Sequence, residues 1–171
     1  EAVHRLDEDT SGLMLGATNV EMQQRLKQMI EERRIERSYL AICAGSVSAP
    51  FSMDTMLQRN RGDGKRGSGE EGKRAISHFF PVQRLHKATL IRAKLETGRT
   101  HQIRIHLSEA KHPVFGDKLY APRHVRSKST RLALHAEELV FSHPTTALQM
   151  RFYAPLADDL ERLRRQIILS K

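Results

Sequence analysis

Near the start of the chain, nine residues form the stretch His4-Arg5-Leu6-Asp7-Glu8-Asp9-Thr10-Ser11-Gly12. The stretch holds three carboxylates, two basic side chains and two hydroxyls, and an apolar run, Leu13-Met14-Leu15, follows at once. So dense a polar cluster beside an apolar segment indicates a loop that delivers a carboxylate to a cleft. The spacing does not identify the acting acid, and a charged turn before a strand is the simpler interpretation of an isolated aspartate.

The charge balance favours a polyanionic partner. The 171 residues include 29 Lys and Arg against 20 Asp and Glu, which gives a formal net charge of +9. Such an excess attracts nucleic acid through the release of condensed counterions, although it specifies neither a base sequence nor a chemistry. We therefore expect a nucleic-acid partner from composition alone.

Length and composition predict one soluble domain. A chain of this size can bury a substantial core, and no apolar run approaches the length of a membrane span. The single Cys43 can form no internal disulfide, and its apolar neighbours indicate a small buried hydrophobe. We expect a monomeric protein of the reducing cytoplasm with no membrane segment.

The spacing of apolar residues predicts more strands than helices. A helix beginning at Thr18, with capping-box spacing to Glu21, and a second helix after Pro155 are expected. Turns at His86-Lys87 and near Pro144 separate strand pairs. The predicted strands cover residues 13–17, 38–44, 74–85, 88–95, 132–143 and 148–153. This pattern is typical of an α+β fold, a mainly antiparallel mixed sheet with flanking helices, in one domain over residues 1–171.

Residues 58–73 form the one low-complexity stretch, with five glycines among charged side chains. Too little apolar surface is present there to order the segment by burial. Its basic residues, which include Arg59, Arg61, Lys65 and Arg66, suit contact with a phosphate backbone. A flexible linker and an RNA-contacting loop are equally compatible with this composition.

A second polar cluster reads Thr97-Gly98-Arg99-Thr100-His101-Gln102-Ile103-Arg104. Gly98 permits a tight turn, and Thr100 is the predicted N-cap of a short helix whose first residue is His101. Arg104 lies three residues further on and shares a helix face with His101. Arginines beside a helix start form an anion site. A phosphate and a carboxylate of the protein both fit such a site, and the spacing leaves both open.

Neither a metal nor a cofactor is predicted. His101 and His106, the closest pair of histidines, are five residues apart and poorly aligned on a helix, so a zinc site is not expected. The sequence Gly67-Ser68-Gly69 lacks the preceding strand and the following Lys-Ser or Lys-Thr of a phosphate loop.

Three motifs together resemble the RluA family of RNA pseudouridine synthases. Residues 4–12 are similar to that family's HRLDxxTSG signature, and residues 97–104 to its TGRTHQIR motif. Residues 37–41, Arg-Ser-Tyr-Leu-Ala, are similar to its (K/R)xYxA strand. Weaker similarities occur at residues 112–120, 132–136 and 154–156, to which we assign structural roles. The resemblance implies a domain with a central catalytic cleft.

The resemblance assigns three catalytic residues. Asp7 corresponds to the catalytic acid, Arg104 to the arginine that forms a salt bridge with it, and Tyr39 to the tyrosine that packs against the target base and assists proton removal. The implied reaction breaks the bond between uracil nitrogen and ribose, turns the base and rejoins it through carbon 5. The substrate would be a structured RNA, ribosomal or transfer.

The resemblance also indicates residues that bind substrate. Arg5 is the candidate to fill the space vacated by a flipped uridine, and Arg99 would bind phosphate. Thr10 would shape the turn around Asp7, and His101 is placed beside the substrate by its position in the second motif.

Two other functions stay open at this point. A noncatalytic RNA-binding module would keep the basic surface, and an acid/base hydrolase would pair Asp7 with a neighbouring carboxylate, Asp9 more readily than Glu8. Members of the resembling family carry more sequence before the signature. We therefore expect the chain to lack the amino-terminal part of its domain and to be, in one alternative, an inactive fragment.

Overall fold

The computed structural model describes residues 1–60 and 62–169. Twelve elements follow one another along the described chain. They are β1 (Ser11–Gly12), α1 (Val20–Glu31), β2 (Glu36–Ala44), β3 (Phe51–Gln58), β4 (Gly67–Ser68), β5 (Lys73–Leu85), β6 (Ala88–Leu95), α2 (Gln102–Glu109), α3 (Arg123–Arg126), β7 (Leu134–Ser142), β8 (Gln149–Tyr153) and α4 (Asp158–Leu169). Of the loop residues named above, Arg61 lies outside the described residues.

One sheet organises the molecule. Its strands lie in the order β1-β7-β2-β6-β5-β3-β4, and β8 also pairs with β7, at residues beyond those that pair with β1. The β1–β7 pair is parallel and the remaining pairs are antiparallel. The prediction of an α+β fold with a mainly antiparallel mixed sheet is therefore confirmed. Both hairpins occur where the alternation of apolar residues places them.

One predicted strand is absent and one observed strand was not predicted, each for an identifiable reason. Residues 13–17 were expected to form a strand, but only Gly16 makes a bridge, to Ala2. The backbone there divides its hydrogen bonds, since Leu13 N donates to Ala136 O whereas Leu15 O accepts from Val3 N, so no continuous ladder forms. Strand β3 was not predicted, because its residues alternate between half-buried and exposed and carry a weak apolar signal.

The predicted first helix begins two residues later than expected. Its N-cap is Asn19, whose side chain accepts a hydrogen bond from Met22 N at 2.8 Å, whereas Thr18 was expected to begin the helix. The predicted apolar stripe is present, because Leu26 and Met29 are buried against Phe141 of the sheet. Helix α1 is thereby fixed beside the first loop.

The main core lies where β2, β6 and β7 pack against α2 and α4. Cys43 is fully buried within it, and burial raises the pKa of its thiol to about 12, as expected for a small hydrophobe rather than a nucleophile. Among the described residues, no helix has the length and apolar character needed to cross a membrane.

Candidate active site

A cavity of about 620 Å³ opens between the first loop, α1, β2 and the segment that leads into α2. We call it the Asp7 cavity. Six of the seven predicted site residues line it: Arg5, Asp7, Thr10, Tyr39, Arg99 and His101. The seventh, Arg104, lies behind the wall and reaches Asp7 with its guanidinium. The structure thus brings Asp7 and Arg104 together although they are 97 positions apart in sequence.

The loop that carries Asp7 is a tight turn. Thr10 N donates to Asp7 O at 3.0 Å, and Asp9 takes the left-handed conformation, with φ of 66°. Gly12, with φ of 102°, passes so close to β7 that a side chain would overlap the Ala136 carbonyl. Glycine is therefore required at this position of the stretch.

Arg131, a residue that the sequence did not single out, fastens the same loop. Its guanidinium donates to Asp9 O at 2.8 Å and to Ser11 Oγ at 3.0 Å, and it pairs with Asp159 at 2.6 Å. Ser11 Oγ is in turn 2.9 Å from His135 Nδ1. His135 therefore has the structural role expected of it, since it supports the loop from within the fold.

Helix α2 positions Arg104 because its inner face is anchored in the sheet. His106 lies 2.9 Å from Ser77 Oγ and 3.0 Å from Thr55 Oγ1. Burial lowers the pKa of His106 to about 4, so the ring is neutral and can donate to one of these hydroxyls while accepting from the other. Gln102 adds a hydrogen bond to Ile76 O at 2.9 Å.

Arg104 connects two aspartates. Its Nη1 donates to Asp7 Oδ2 at 3.3 Å, while Nε and Nη2 donate to the two carboxylate oxygens of Asp117, both at 2.8 Å. Asp117 is buried and also accepts from the backbone N–H groups of Leu119 and Tyr120. The bidentate contact with Asp117 fixes the guanidinium plane, and the remaining nitrogen, Nη1, reaches Asp7.

The charges of Asp7, Arg104 and Asp117 stabilise one another. Burial opposes the charge of Arg104, but the hydrogen bonds and charge of Asp117, with those of Asp7, outweigh it and raise the pKa of Arg104. Burial likewise opposes ionisation of Asp117, yet its contacts with Arg104 and two backbone amides lower its pKa. A fixed positive charge therefore stands beside the Asp7 carboxylate.

Tyr39 faces the same cavity from β2. The ladder between β2 and β7 shifts register between Ser38 and Tyr39, an irregularity that changes the direction of side chains beside it. Tyr39 is buried, and burial, with a smaller contribution from Asp7, raises the pKa of its phenol while Arg37 opposes the shift. The phenol therefore keeps its proton at neutral pH.

The start of α2 differs from the prediction. Thr100 is not the N-cap, and His101 is not the first helical residue, because His101 itself is the N-cap, in the left-handed conformation with φ of 59°. The preceding loop is closed by the Gln102 side chain, whose Oε1 accepts from Arg99 N at 2.9 Å and from Thr97 Oγ1 at 2.8 Å. A tertiary hydrogen bond thus replaces the expected local cap.

His101 and Tyr120 cover the other side of Arg104. His101 Nδ1 is 2.9 Å from Tyr120 OH, and the Tyr120 ring centre is 5.2 Å from the guanidinium carbon of Arg104. Burial, with the nearby charge of Arg104, lowers the pKa of His101. The imidazole is therefore neutral at pH 7 and acts as a hydrogen-bonding group rather than a cation.

The remaining predicted residues lie at the rim and floor of the cavity. Arg5 is exposed, and Arg99 is exposed with its Nε bonded to Arg74 O at 3.1 Å. Thr10 Oγ1 is buried and has no hydrogen-bond partner within the described part of the protein. Arg5 and Arg99 therefore present donors to whatever enters.

Asp117 and Arg37 belong to the site although no functional role was predicted for them. Asp117 stands in the weakly resembling segment 112–120, for which a structural role is predicted. Arg37 opens the tyrosine motif, and a charged residue among the buried positions of β2 is the signal that could have identified it. No cluster of three or more metal-ligating side chains occurs among residues 1–60 and 62–169.

Comparison with known proteins agrees with the geometry. A model of the RNA pseudouridylate synthase family matches residues 1–109. "Ribosomal large subunit pseudouridine synthase D" of Vibrio vulnificus is 40% identical over 95% of this chain and 55% of its own length. Its namesake from Xylella fastidiosa is 36% identical over 94% of this chain and 53% of its own length. The chain thus spans about half the length of these relatives.

Solved structures share the fold. "Human RNA Pseudouridylate Synthase Domain Containing 1" superimposes with a TM-score of 0.79 at 25% identity, covering 99% of this chain and 80% of the human one. "Human RNA Pseudouridylate Synthase Domain Containing 4" gives a TM-score of 0.82 at 20% identity, covering 97% and 75%. Together with the family match over most of the sequence, the motifs at Asp7, Tyr39 and Arg104 lead to one conclusion: the chain belongs to the RNA pseudouridylate synthase family, as the resemblance predicted.

Proposed function

We propose that this chain carries the catalytic centre of an enzyme that converts uridine in ribosomal RNA to pseudouridine, with Asp7 as the catalytic group. The observation that carries the proposal is the Asp7 carboxylate in a cavity wall, 3.3 Å from a buried arginine that is itself fixed by Asp117. Relatives named for the ribosomal large subunit favour ribosomal over transfer RNA as the substrate.

The cavity suits a single nucleotide taken out of its stack. Its volume of about 620 Å³ lies within the range of pockets that enclose small organic ligands. Enzymes that do chemistry on a base in structured nucleic acid extrude the nucleotide into such a pocket. Exposed Arg5 at the rim is free to enter the vacated stack, and the net charge of +9 attracts the phosphate backbone.

The reaction is an isomerisation with no net loss of atoms. The bond between uracil N1 and the ribose breaks, the base turns within the cavity, and carbon 5 bonds to the ribose. The hydrogen on carbon 5 leaves as a proton, and N1 gains one. Asp7 promotes the bond cleavage, and Arg104, whose Nη1 donates to Asp7 Oδ2, keeps a positive charge beside it.

Tyr39 supplies the flat surface for the base. Its phenol is protonated at neutral pH, because burial raises its pKa, so it serves as a contact and a hydrogen-bond donor before any role in proton removal. Thr10 shapes the turn, His101 offers a neutral imidazole, and Arg99 contributes positive charge at the rim.

The hydrolase alternative is less well supported. A paired-carboxylate mechanism would draw its second acid from the same loop, yet neither Glu8 nor Asp9 lines the cavity, and Asp9 pairs instead with Lys118 at 3.2 Å. A noncatalytic RNA-binding module would have no use for a row of three buried or half-buried charges, Asp7, Arg104 and Asp117.

The test measures tritium released from ribosomal RNA labelled at uracil carbon 5. We expect Asp7→Asn to reduce release by at least about 100-fold, the contribution typical of a positioned acid–base or nucleophilic group. The matched control is Asp9→Asn, which makes the same substitution two residues away at an exposed position that tolerates asparagine in the left-handed conformation. Transfer RNA labelled in the same way forms a second arm.

Three outcomes would contradict the proposal. Turnover by Asp7→Asn close to that of the unmodified protein would remove Asp7 from catalysis. Tritium release from transfer RNA but not from ribosomal RNA would show that transfer RNA is the substrate. A change in the mass of the RNA would indicate hydrolysis, because isomerisation leaves the mass unchanged.

A further inference from the structure

Arg37 is a buried cation that the catalytic scheme does not use. It is the second residue of β2, two positions before Tyr39, and both side chains line the Asp7 cavity, with the register shift of the β2–β7 ladder between them. Only 6% of Arg37 is exposed. Its Nε is buried and has no hydrogen-bond partner in the described part of the chain.

No carboxylate neutralises this guanidinium. Three carboxylates line the same cavity, and none forms an ion pair with Arg37 within residues 1–60 and 62–169: Asp7, Glu31 and Glu96. Burial lowers the pKa of Arg37, and only the neighbouring Tyr39 opposes this. An arginine does not lose its charge at neutral pH, so the free protein holds an uncompensated buried cation.

The Arg37 guanidinium packs against the loop that precedes α2. A Cβ atom added at Gly98 would stand 2.7 Å from Arg37 Nη1, so the group lies against the bare backbone of the loop that precedes α2. The absence of a side chain at Gly98 is what leaves room for it. An unpaired charge beside an open cavity is arranged for a ligand of opposite charge.

The neighbourhood favours an anion. Lys27 of α1 and Arg5 of the first loop line the same cavity, and neither forms an ion pair with a residue that the structure describes. Arg33 also lines it but is occupied by Glu96 at 2.6 Å. Arg37 and Tyr39 are two positions apart on β2 and line the same cavity, so both can contact one nucleotide, Tyr39 through its base and Arg37 through its phosphate.

We propose that Arg37, with Lys27, binds a phosphodiester group of the RNA strand directly next to the nucleotide that occupies the cavity. The guanidinium fork matches two phosphate oxygens, and a low-dielectric wall strengthens the contact. This inference rests on the proposed function, because it takes the cavity nucleotide to be the target uridine.

The test is a double-mutant cycle between Arg37 and single phosphates of the RNA. The dissociation constant is measured for the unmodified protein and for Arg37→Gln. The probe is a ribosomal RNA fragment with a neutral methylphosphonate on the 5′ or the 3′ side of the target uridine. We expect one of these to weaken binding of the unmodified protein roughly 10- to 100-fold, as for a hydrogen bond to a charged group. The same methylphosphonate should cause little further change in the dissociation constant of Arg37→Gln.

A matched control removes the same charge elsewhere. Arg34→Gln lies three residues away, at an exposed side chain that pairs with Glu32 and does not line the cavity. The log–log salt dependence of binding should become shallower by roughly 0.7 for Arg37→Gln, one phosphate contact to a single strand. It should be unchanged for Arg34→Gln. Gly98→Ala, which retains the charge but displaces the guanidinium, should weaken binding in the same direction as Arg37→Gln.

A stability measurement separates a ligand site from a structural role. Without RNA, Arg37→Gln should unfold at the same or a higher urea concentration, because an unpaired buried charge is removed. Coupling to neither phosphate, or a marked loss of stability in the free Arg37→Gln protein, would overturn the inference. Failure of the unmodified protein to form pseudouridine would instead overturn the proposed function, so the two failures are distinguishable.

Discussion

Arg104 and Arg37 are equally buried, each 6% exposed, but their electrostatic surroundings are opposite. Arg104 donates to both oxygens of Asp117 and to Asp7, and these contacts raise its pKa against the effect of burial. Arg37 has no carboxylate partner among the described residues, and burial lowers its pKa. The charge of Arg104 is compensated by carboxylates of the protein itself. The charge of Arg37 would be compensated only when the proposed phosphate binds.

The different surroundings of Arg104 and Arg37 correspond to two different tasks, tuning a carboxylate and recognising substrate. A group that tunes a catalytic carboxylate must be in place before substrate binds, so its own partners are supplied by the fold. A group that recognises substrate keeps its donors unoccupied, and its cost in the free protein is offset on binding. The predictions that follow are ordered by the size of the expected effect.

The largest effect is expected for Arg104→Gln, which leaves the buried Asp117 carboxylate without its cation. Breaking a buried ion pair in this way costs about 3–5 kcal/mol of unfolding free energy. Urea denaturation without RNA measures it, with Arg37→Gln as the control at equal burial. Equal losses in the two variants would contradict the distinction between them.

Acidification is expected to lower the free energy of unfolding by an intermediate amount, through the Asp117 carboxylate. Asp117 is buried, which opposes its ionisation, but Arg104 and two backbone amides hold its pKa below the ordinary value near 3.8. Its stabilisation is therefore fully present above pH 3.8 and is lost as the pH falls through the lower, folded-state value. The slope from this one group is at most about 1.4 kcal/mol per pH unit.

The matching measurement compares unfolding free energies of the unmodified protein and Asp117→Asn over this acid range. The component from this carboxylate should be missing in Asp117→Asn, which should also be less stable at neutral pH. An identical acid slope in the two proteins would show that Asp117 does not carry this linkage.

Much of this contrast was not predictable from sequence. Alternating apolar residues predicted the two hairpins, because their faces are buried and their turns are short. The motifs predicted that Arg104 would meet Asp7. They did not indicate that Asp117 is the stronger partner, since that contact depends on how the loop after α2 folds back over the helix.

Local rules failed where tertiary contacts replaced them. Thr100 has the side chain of an N-cap, but Gln102 closes the loop and leaves His101 as the left-handed cap. The unpaired state of Arg37 could not be anticipated either, because it is the absence of a neighbour in space. The sequence shows only that a charge stands in a buried strand.

The smallest effect is expected for the basic loop. Arg66 is close enough for its charge to influence His101 and Tyr120, so the loop approaches the cavity from that side. Neutralising Lys65 and Arg66 together should weaken RNA binding and reduce its salt dependence by up to roughly 1.4, two single-strand contacts. Salt titration of binding measures it, and an unchanged slope would identify the loop as a linker.

The most direct test of the contrast between the two arginines is one experiment on Arg104→Lys and Arg37→Lys, each of which keeps the charge but loses the fork. The single-turnover rate of pseudouridine formation at saturating RNA and the dissociation constant are measured for both variants. For Arg104→Lys the rate should fall by the larger factor, about 100-fold, because a displaced partner misaligns Asp7. For Arg37→Lys the dissociation constant should rise by the larger factor, about 10-fold, because a bidentate phosphate contact becomes a point charge. The contrast would be contradicted if the rate and the dissociation constant changed by the same factors in both variants. It would also be contradicted if Arg37→Lys mainly lowered the rate and Arg104→Lys mainly raised the dissociation constant.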